Sequence, residues 1–580
     1  MLKIFLLTII LSCTLSAQYF TKITTGPHVN DGGDSRSVNW VDYDNDGDLD
    51  LFITNGPSSR ANNFLYKNNG DGTFQKITDV SVVNDLGSYD GSSWADYDND
   101  GFIDVFSVTW YGQTNSLHRQ RNGMFEKITF GSVATDKTYS ETASWADYDN
   151  DGYVDLYVTN SAGKLGNFLY HNNGDGTFSK ITTGAIVIDA KPSRGVSWCD
   201  FDNDGYVDLF IAHEANNNNS LYWNNGDGTF TAETSGAIVN DGGDSFGCSV
   251  GDINNDGYYD VFVANYSNQN NFLYLNNGKR TFTKVTADTV VNDHGYSIGS
   301  TFGDFDNDGY LDLFVANGFS GSSKTKNFLY HNNGNGTFTK VDTGVVSTDL
   351  GWSYGTACGD YDRDGDLDIF TANCFGGNQN NSLYRNEGND NSWLTIQLIG
   401  RISNFSAIGA LVKAKAIVNG NSIWQVRDVS GQSGYCGQNL EVHFGLGNAT
   451  QIDSLIIEWP SRQRTIQTNV GVKQHLKITE SAPNGIFAGA VQIDKFRLHQ
   501  NYPNPFNPST AIQFDLPYQS FVSLKVYDGI GRQVTTIVSE EMSAGSYTKK
   551  WNTNGMPSGV YFYRLQAGAY IETKKTLLLK

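Results

Sequence analysis

WVDYDNDGDLDLFITN, Trp40 to Asn55, recurs in recognisable form seven times along the chain, and its reading decides the fold. Asp42, Asp44, Asp46 and Asp50 stand at positions 1, 3, 5 and 9 of a DxDxDGxxD loop, with Gly47 at the sharp turn of position 6. The other copies place Asp96, Asp98, Asp100 and Asp104; Asp147, Asp149, Asp151 and Asp155; Asp200, Asp202, Asp204 and Asp208; Asp252, Asn254, Asp256 and Asp260; Asp304, Asp306, Asp308 and Asp312; and Asp360, Asp362, Asp364 and Asp368 at the same offsets. Oxygen donors, with no His or Cys nearby in the sequence, favour a hard cation, and the expected cofactor is Ca²⁺ at about seven sites. Like charges this dense repel one another unless a counter-ion joins them.

An EF-hand uses the same early positions but needs a bidentate Glu at position 12 and a helix on either side. Position 12 here is Ile53, Ser107, Val158, Ile211, Val263, Val315 or Thr371, and a β-branched or aromatic run such as DLFIT follows. The loops therefore join strands.

Loop starts at 42, 96, 147, 200, 252, 304 and 360 set a period of 51 to 56 residues. Each period holds a strand ending in WAD or a relative, the acidic loop, a strand like DLFVAN, and a hairpin of the form NFLYHNNGDGTFTKV. Four strands per repeat describe a propeller blade. Seven third strands occur but only six fourth strands follow them, and YFTKIT, Tyr19 to Thr24, is expected to supply the missing one and close the ring. The fold class is all-β: a seven-bladed β-propeller, a small β domain, and a C-terminal Ig-like β-sandwich.

Composition agrees with this division. The formal charge is −22, with 63 Gly and 13% aromatics. Residues 1 to 392 carry 22 Lys/Arg against 51 Asp/Glu, a net −29, while residues 495 to 580 carry 10 against 5. Nucleic acid is excluded as a partner of the acidic part. Residues 1 to 17 form a signal peptide by their early Lys and apolar run, and no later stretch is apolar enough to span a membrane. Cys199, Cys248 and Cys358 are expected as small buried residues, with Cys358 and Cys374 as the candidate disulfide.

Six residues before each first Asp stand Arg36, Asp90, Glu141, Arg194, Phe246, Ile298 and Tyr354, a varied ring expected at the axial mouth and a candidate ligand surface. Two residues before each loop stand Trp40, Trp94, Trp145, Trp198, Val250, Phe302 and Cys358, placed to pack blade on blade.

The seven loops resemble the FG-GAP/VCBS-type repeats of integrin-α-like calcium propellers, over residues 18 to 391. Residues 392 to 480 resemble the ASPIC/UnbV domain through Asn404, Ala407-Ile408-Gly409-Ala410, Gly445-Leu446-Gly447 and Glu458-Trp459-Pro460, in the domain order of the cartilage acidic protein family. After a linker at 481 to 494, residues 495 to 580 resemble a type A sorting domain of the type IX secretion system through FRLHQNYPNPFNPST and GVYFYRL. The resemblance implies export by the type IX machinery, attachment at the surface, and extracellular recognition or adhesion toward a protein or glycan ligand. No His/Ser/Asp or HExxH constellation appears, so a non-enzymatic role is expected. A calcium-dependent polysaccharide lyase or hydrolase and a structural matrix component are the alternatives.

Overall fold

The computed structural model describes residues 20–56, 60–161, 166–374, 378–432, 434–435, 437–481, 496–498, 501, 504–516, 520–542, 545–553, 556–568 and 570–579. The expected signal peptide and nearly all of the expected linker lie outside these residues. Two compact units emerge, Met1–Pro483 and Asn484–Lys580.

In the first unit, seven sheets repeat one plan of four antiparallel strands, and they are propeller-like. The first strands are Ser35–Val41, Tyr89–Ala95, Ser140–Ala146, Ser193–Cys199, Ser245–Gly251, Ser297–Gly303 and Ser353–Gly359. Each pairs with a second strand that begins on the loop's position-9 Asp, as in Val41↔Asp50 and Gly359↔Asp368. Phe20–Ile23 pairs antiparallel with Ser382–Asn386, so the start of the chain supplies the outer strand of the last sheet. The first strand of each sheet packs on that of the next, and Ser353–Gly359 packs back on Ser35–Val41.

Aromatic residues fill the gaps between sheets, as their place before each loop implied. Trp40 stacks on Tyr361 at 6.0 Å, Trp145 on Tyr97 at 6.3 Å, and Trp94 meets Phe52 edge-on at 5.1 Å. One-turn helices such as Ser81–Asn84 and Ala185–Ile188 lie in the connections between sheets and bury a pair of apolar side chains. A single turn is too short to print a helical period on the sequence.

Residues 392–480 belong to the same compact unit as the repeats. Their strands form a sandwich of two sheets, one ordered Val442–Gly447, Ser392–Ile399, Gln474–Thr479 and the other Asn421–Asp428, Leu411–Val418, Gln451–Glu458, Arg464–Gly471. The sandwich core, with Ile396, Val412, Phe444 and Ile457, is continuous with Tyr97, Trp145 and Val154 of the repeats. A further strand, Gly437–Asn439, joins the first repeat sheet parallel to Val38–Trp40.

The expected Cys358–Cys374 disulfide is absent, and both thiols are free. They sit at opposite ends of one hairpin, since Cys358 pairs with Ile369 while Cys374 follows Asn373, the partner of Ser353. Cys374 instead donates to Asp34 at 3.0 Å.

The second unit holds two sheets, Arg497–Leu498, Ser509–Leu516, Gly545–Asn552 and Gln533–Met542, Ser520–Asp528, Gly559–Ala567, Tyr570–Leu578, around a core that includes Leu498, Phe514, Leu524, Trp551 and Tyr563.

Candidate functional site: acidic loops and axial channel

Each acidic loop is a tight turn that draws its carboxylates inward. Position 6 is a glycine with φ between 88° and 100° in all seven copies, where a side chain would be strained. Its N–H donates to the position-1 carboxylate, as Gly47 to Asp42 at 3.1 Å and Gly101 to Asp96 at 2.7 Å. The position-9 carboxylate is held from both sides. Asp50 accepts from the N–H of Asn68 at 2.8 Å and of Tyr43 at 3.2 Å, and Asp208 and Asp260 do the same in their loops.

The structure brings three of the four sequence-predicted ligands together in each of the first three loops. One oxygen each from Asp42, Asp44 and Asp50 lies within 4.8 Å of the others, as do those of Asp96, Asp98 and Asp104, and of Asp147, Asp149 and Asp151. At position 3, Oδ1 of Asp44, Asp98, Asp149, Asp306 and Asp362 is buried with no hydrogen-bond partner, and so is Oδ1 of Asp42 and Asp360 at position 1. Burial pushes Asp42 up to about 6, Asp147 and Asp360 to about 8, and Asp50 and Asp208 to about 9, with neighbouring carboxylates adding to the rise. Orphaned carboxylate oxygens converging in a desolvated cage fit a hard divalent cation, whose charge would reverse that rise.

The expectation that no imidazole lies near fails in three loops, the seventh through His475 of the sandwich, whose Nε2 is 3.5 Å from Asp360, and the third and sixth through third-strand residues. His171 Nδ1 is 3.1 Å from Asp155 and 3.5 Å from Asp149, and His331 Nδ1 is 3.1 Å from Asp312 and 3.4 Å from Asp306. Both reach in from the third strand, about twenty residues along the chain, where loop spacing alone gives no hint. Lysine or arginine takes a comparable place in the first, second and fourth loops. Lys67 bridges Asp44 and Asp46, Arg121 meets Asp100 at 3.0 Å, and Arg280 meets Asp202 at 2.6 Å.

Two belts of side-chain bonds tie the loops into a circle. The position-4 residue adopts the left-handed conformation in every loop, at φ 55° to 60° from Asn45 to Arg363. Asn45 donates to the Gly101 carbonyl at 3.2 Å, Asn99 to Gly152 at 2.9 Å, Asn150 to Gly205 at 3.0 Å, Asn203 to Gly257 at 3.1 Å, Asn255 to Gly309 at 3.0 Å and Asn307 to Gly365 at 3.2 Å. Arg363 closes the series on the Gly47 carbonyl. In the second belt the third-strand amide reaches back to the preceding sheet, as Asn68 to Tyr361 at 2.7 Å and Asn172 to Tyr97 at 2.8 Å.

The seven ring residues Arg36, Asp90, Glu141, Arg194, Phe246, Ile298 and Tyr354 do converge on the axis, but they do not form an open ligand surface. Asp90, Glu141, Ile298 and Tyr354 are at most 3% exposed. Gly431, Gln432, Gly434, Tyr435 and Gly437–Asn439, which follow the strand Asn421–Asp428 of the sandwich, occupy the channel. Ser93 Oγ donates to the Gly431 carbonyl at 2.6 Å, the Cys248 N–H to the Gly434 carbonyl at 3.2 Å, and Gln438 bonds both the N–H and the carbonyl of Trp94, at 2.7 and 2.8 Å. Tyr435 ends inside the ring. Its hydroxyl donates to Glu141 at 2.7 Å and lies 3.3 Å from Asp90, while its ring packs among Phe246, Ile298 and Tyr354. Arg194 pairs with Glu141 and with Glu214, and Arg36 lies over the Tyr354 ring, 3.7 Å from its centroid.

The sandwich also covers part of the loop face. Glu441 takes two bonds of 2.8 Å from Arg363, the Phe405 N–H donates to Asn99 at 2.7 Å, and the Gly447 N–H to the Asn307 carbonyl at 2.7 Å. These contacts pair residues about 80 to more than 300 positions apart, beyond the reach of a local sequence pattern.

The opposite face carries the residues just after the second strands and just before the first strands. There Trp110, Tyr139, Tyr266, Tyr296 and Trp352 are partly exposed and Tyr111 is 54% exposed.

Comparison with known proteins places these features. The FG-GAP-like repeat model matches residues 42–107, 96–158, 147–211, 200–263, 252–315 and 304–371, the ASPIC and UnbV model residues 400–485, and the secretion system C-terminal sorting domain model residues 500–579. Cartilage acidic protein 1 of Xenopus tropicalis is 26% identical over 464 residues, covering 72% of this chain and 69% of its own length. That of Homo sapiens is 26% identical over 468 residues, covering 72% and 68%. Among solved structures, the BP39L lectin of Burkholderia pseudomallei shares 14% identity with a TM-score of 0.42, over 58% of this chain and 93% of its own. The sorting domain indicates type IX export, to the cell surface or the medium, and no helix among the described residues is long and apolar enough to cross a membrane. With its repeats matched across residues 42–371, more than half of the 580 residues, the chain belongs to the FG-GAP-like repeat family and carries an ASPIC and UnbV module followed by a secretion-system sorting domain.

Proposed function

We propose that this chain is an exported, calcium-binding seven-bladed propeller that acts in recognition or adhesion outside the cell, without catalysing a reaction. The observation that carries the calcium reading is the set of buried, unpartnered Oδ1 atoms at positions 1 and 3 of the loops, among carboxylates that burial drives toward protonation. Residues at positions 1, 3, 5 and 9 would hold the ion, and the belts through Asn45 to Arg363 would pass its ordering effect from blade to blade. Calcium's part is to neutralise the cages.

The recognition surface is the face opposite the loops, because the sandwich covers part of the loop side and Tyr435 fills the ring. Its exposed indole and phenol rings, set among amides and acids, offer broad contact at low conformational cost. The test is an array of matrix proteins and glycans probed with the calcium-loaded protein and again after chelation. Calcium-dependent, saturable binding to any class supports recognition. Binding to none, with the fold intact, favours the structural-component reading instead.

A further inference from the structure

We propose that a recess on the last blade, between its clasp strand and the ribbon that joins it to the sixth, holds a saccharide-binding site, built around Trp352 and the segment Asn380-Asn381-Ser382. The proposal rests on the recognition reading and gives it an address and a ligand class.

The last sheet is unlike the others. Its fourth strand comes from the start of the chain, Phe20–Ile23, and a three-stranded ribbon of Phe319–Ser320, Ser323–Lys326 and Leu350–Gly351 joins it to the sixth sheet. Other junctions of the described residues carry at most a two-stranded ribbon, such as Gln113–Thr114 with Lys137–Thr138. Between ribbon and clasp lies a recess of about 280 Å³, lined by Lys22, Asn30, Lys324, Trp352 and residues 379–382. That is near the lower end of small-molecule sites, roughly 300–1,000 Å³, and on the scale of one or two sugar rings.

The lining chemistry selects the class. Amides and a serine hydroxyl supply donors and acceptors side by side, the pairing that vicinal hydroxyls require. Asn381 is 2% exposed, and its Nδ2, like those of its counterparts Asn219 and Asn271, has no protein partner while its Oδ1 accepts from the Asn373 N–H at 3.0 Å; here a recess opens beside it that Trp352 also lines. A buried amide donor left unpaired is costly unless a ligand or water takes it. Trp352 supplies an aromatic wall for the C–H face of a sugar, with Lys324 4.8 Å from its ring centroid. Lys22 is already paired with Asp349, so the recess does not demand a strongly anionic ligand.

The test uses the full-length calcium-loaded protein on an array of plant, algal and bacterial-wall oligosaccharides, followed by calorimetric titration of the best probe. The variants are Trp352→Ala, Asn380→Ala and Lys324→Ala, with Ile466→Ala, exposed on the sandwich, as a control. Saturable binding that falls at least tenfold in Trp352→Ala and several-fold in Asn380→Ala, but is unchanged in Ile466→Ala, is the expected result. Asn380 and Lys324 are exposed, so their variants decide the matter if Trp352→Ala fails to fold. Absence of any saccharide binding, or binding that the recess variants leave untouched, overturns the proposal. A matrix protein bound while no sugar is bound would overturn the recess and leave the recognition reading standing.

Discussion

The guanidinium of Arg363, in the last acidic loop, donates to the carbonyl of Gly47, in the first, and so completes the circle that six asparagines begin. The exchange of Asn for Arg occurs where the sandwich presents Glu441, so one side chain fastens both the ring and its cover. Arg363→Ala is expected to cost about 1.5–3 kcal/mol, the range for hydrogen bonds to charged groups. Differential scanning calorimetry checks this, and Arg363→Lys should recover only part of the loss because an ammonium cannot match the fork.

Tyr435 ties the channel segment to the ring. Tyr435→Phe removes the donor shared by Glu141 and Asp90 and is expected to lower stability by about 1–3 kcal/mol. Tyr435→Ala opens a cavity and is expected to cost about 3–5 kcal/mol. Chemical denaturation with unchanged slope would report both, and equal stability of wild type and Tyr435→Phe would refute the account of the ring.

Calcium removal should lower the melting temperature steeply. At free ion tenfold above Kd each site adds roughly 1.4 kcal/mol, so seven independent sites add on the order of 10 kcal/mol. Melting with and without EDTA at constant ionic strength measures the sum.

The metal-free protein should respond to pH in an unusual direction. Burial raises Asp42 to about 6, Asp147 to about 8 and Asp50 to about 9, so the folded chain binds more protons than the unfolded one from about pH 4 up to those values. Stability without calcium is then expected to fall as pH rises through that window, and calcium should abolish the trend. Melts in EDTA at pH 5 and pH 8 test the sign.

Lys67 competes with calcium for the first loop through Asp44 and Asp46. Lys67→Met is expected to tighten divalent binding there by at least about tenfold, the scale of one adjacent charge at intermediate dielectric. Native mass spectrometry or terbium luminescence would show an added tight site. The fifth loop, with Leu275 in the place of Lys67, should already behave this way.

Most of the repeat was legible because its determinants are local. The Asp loops, the strands after them and the missing fourth strand are fixed by residues within one period, and YFTKIT found its partner in SLYRN as counting required. The loop-to-loop asparagines were in plain view at position 4 but carry no signal of their own, since a left-handed Asn suits any tight turn. His171 and His331 escaped because the third strand, not the loop, aims them. Tyr435 escaped for a deeper reason. Its partners Asp90, Glu141 and Tyr354 lie in three different repeats, and the varied ring looked like an unfilled mouth when it was a lock for a distant key.

The clasp between Phe20–Ile23 and Ser382–Asn386 sets a schedule for assembly. A contact spanning some 360 residues forms late, because loop closure must precede its reward. Until then the last sheet offers Ser382–Asn386 as a bare edge, open to any neighbouring strand. Shortening the chain past Ile23 should therefore show itself first as aggregation during refolding, before any ligand is lost.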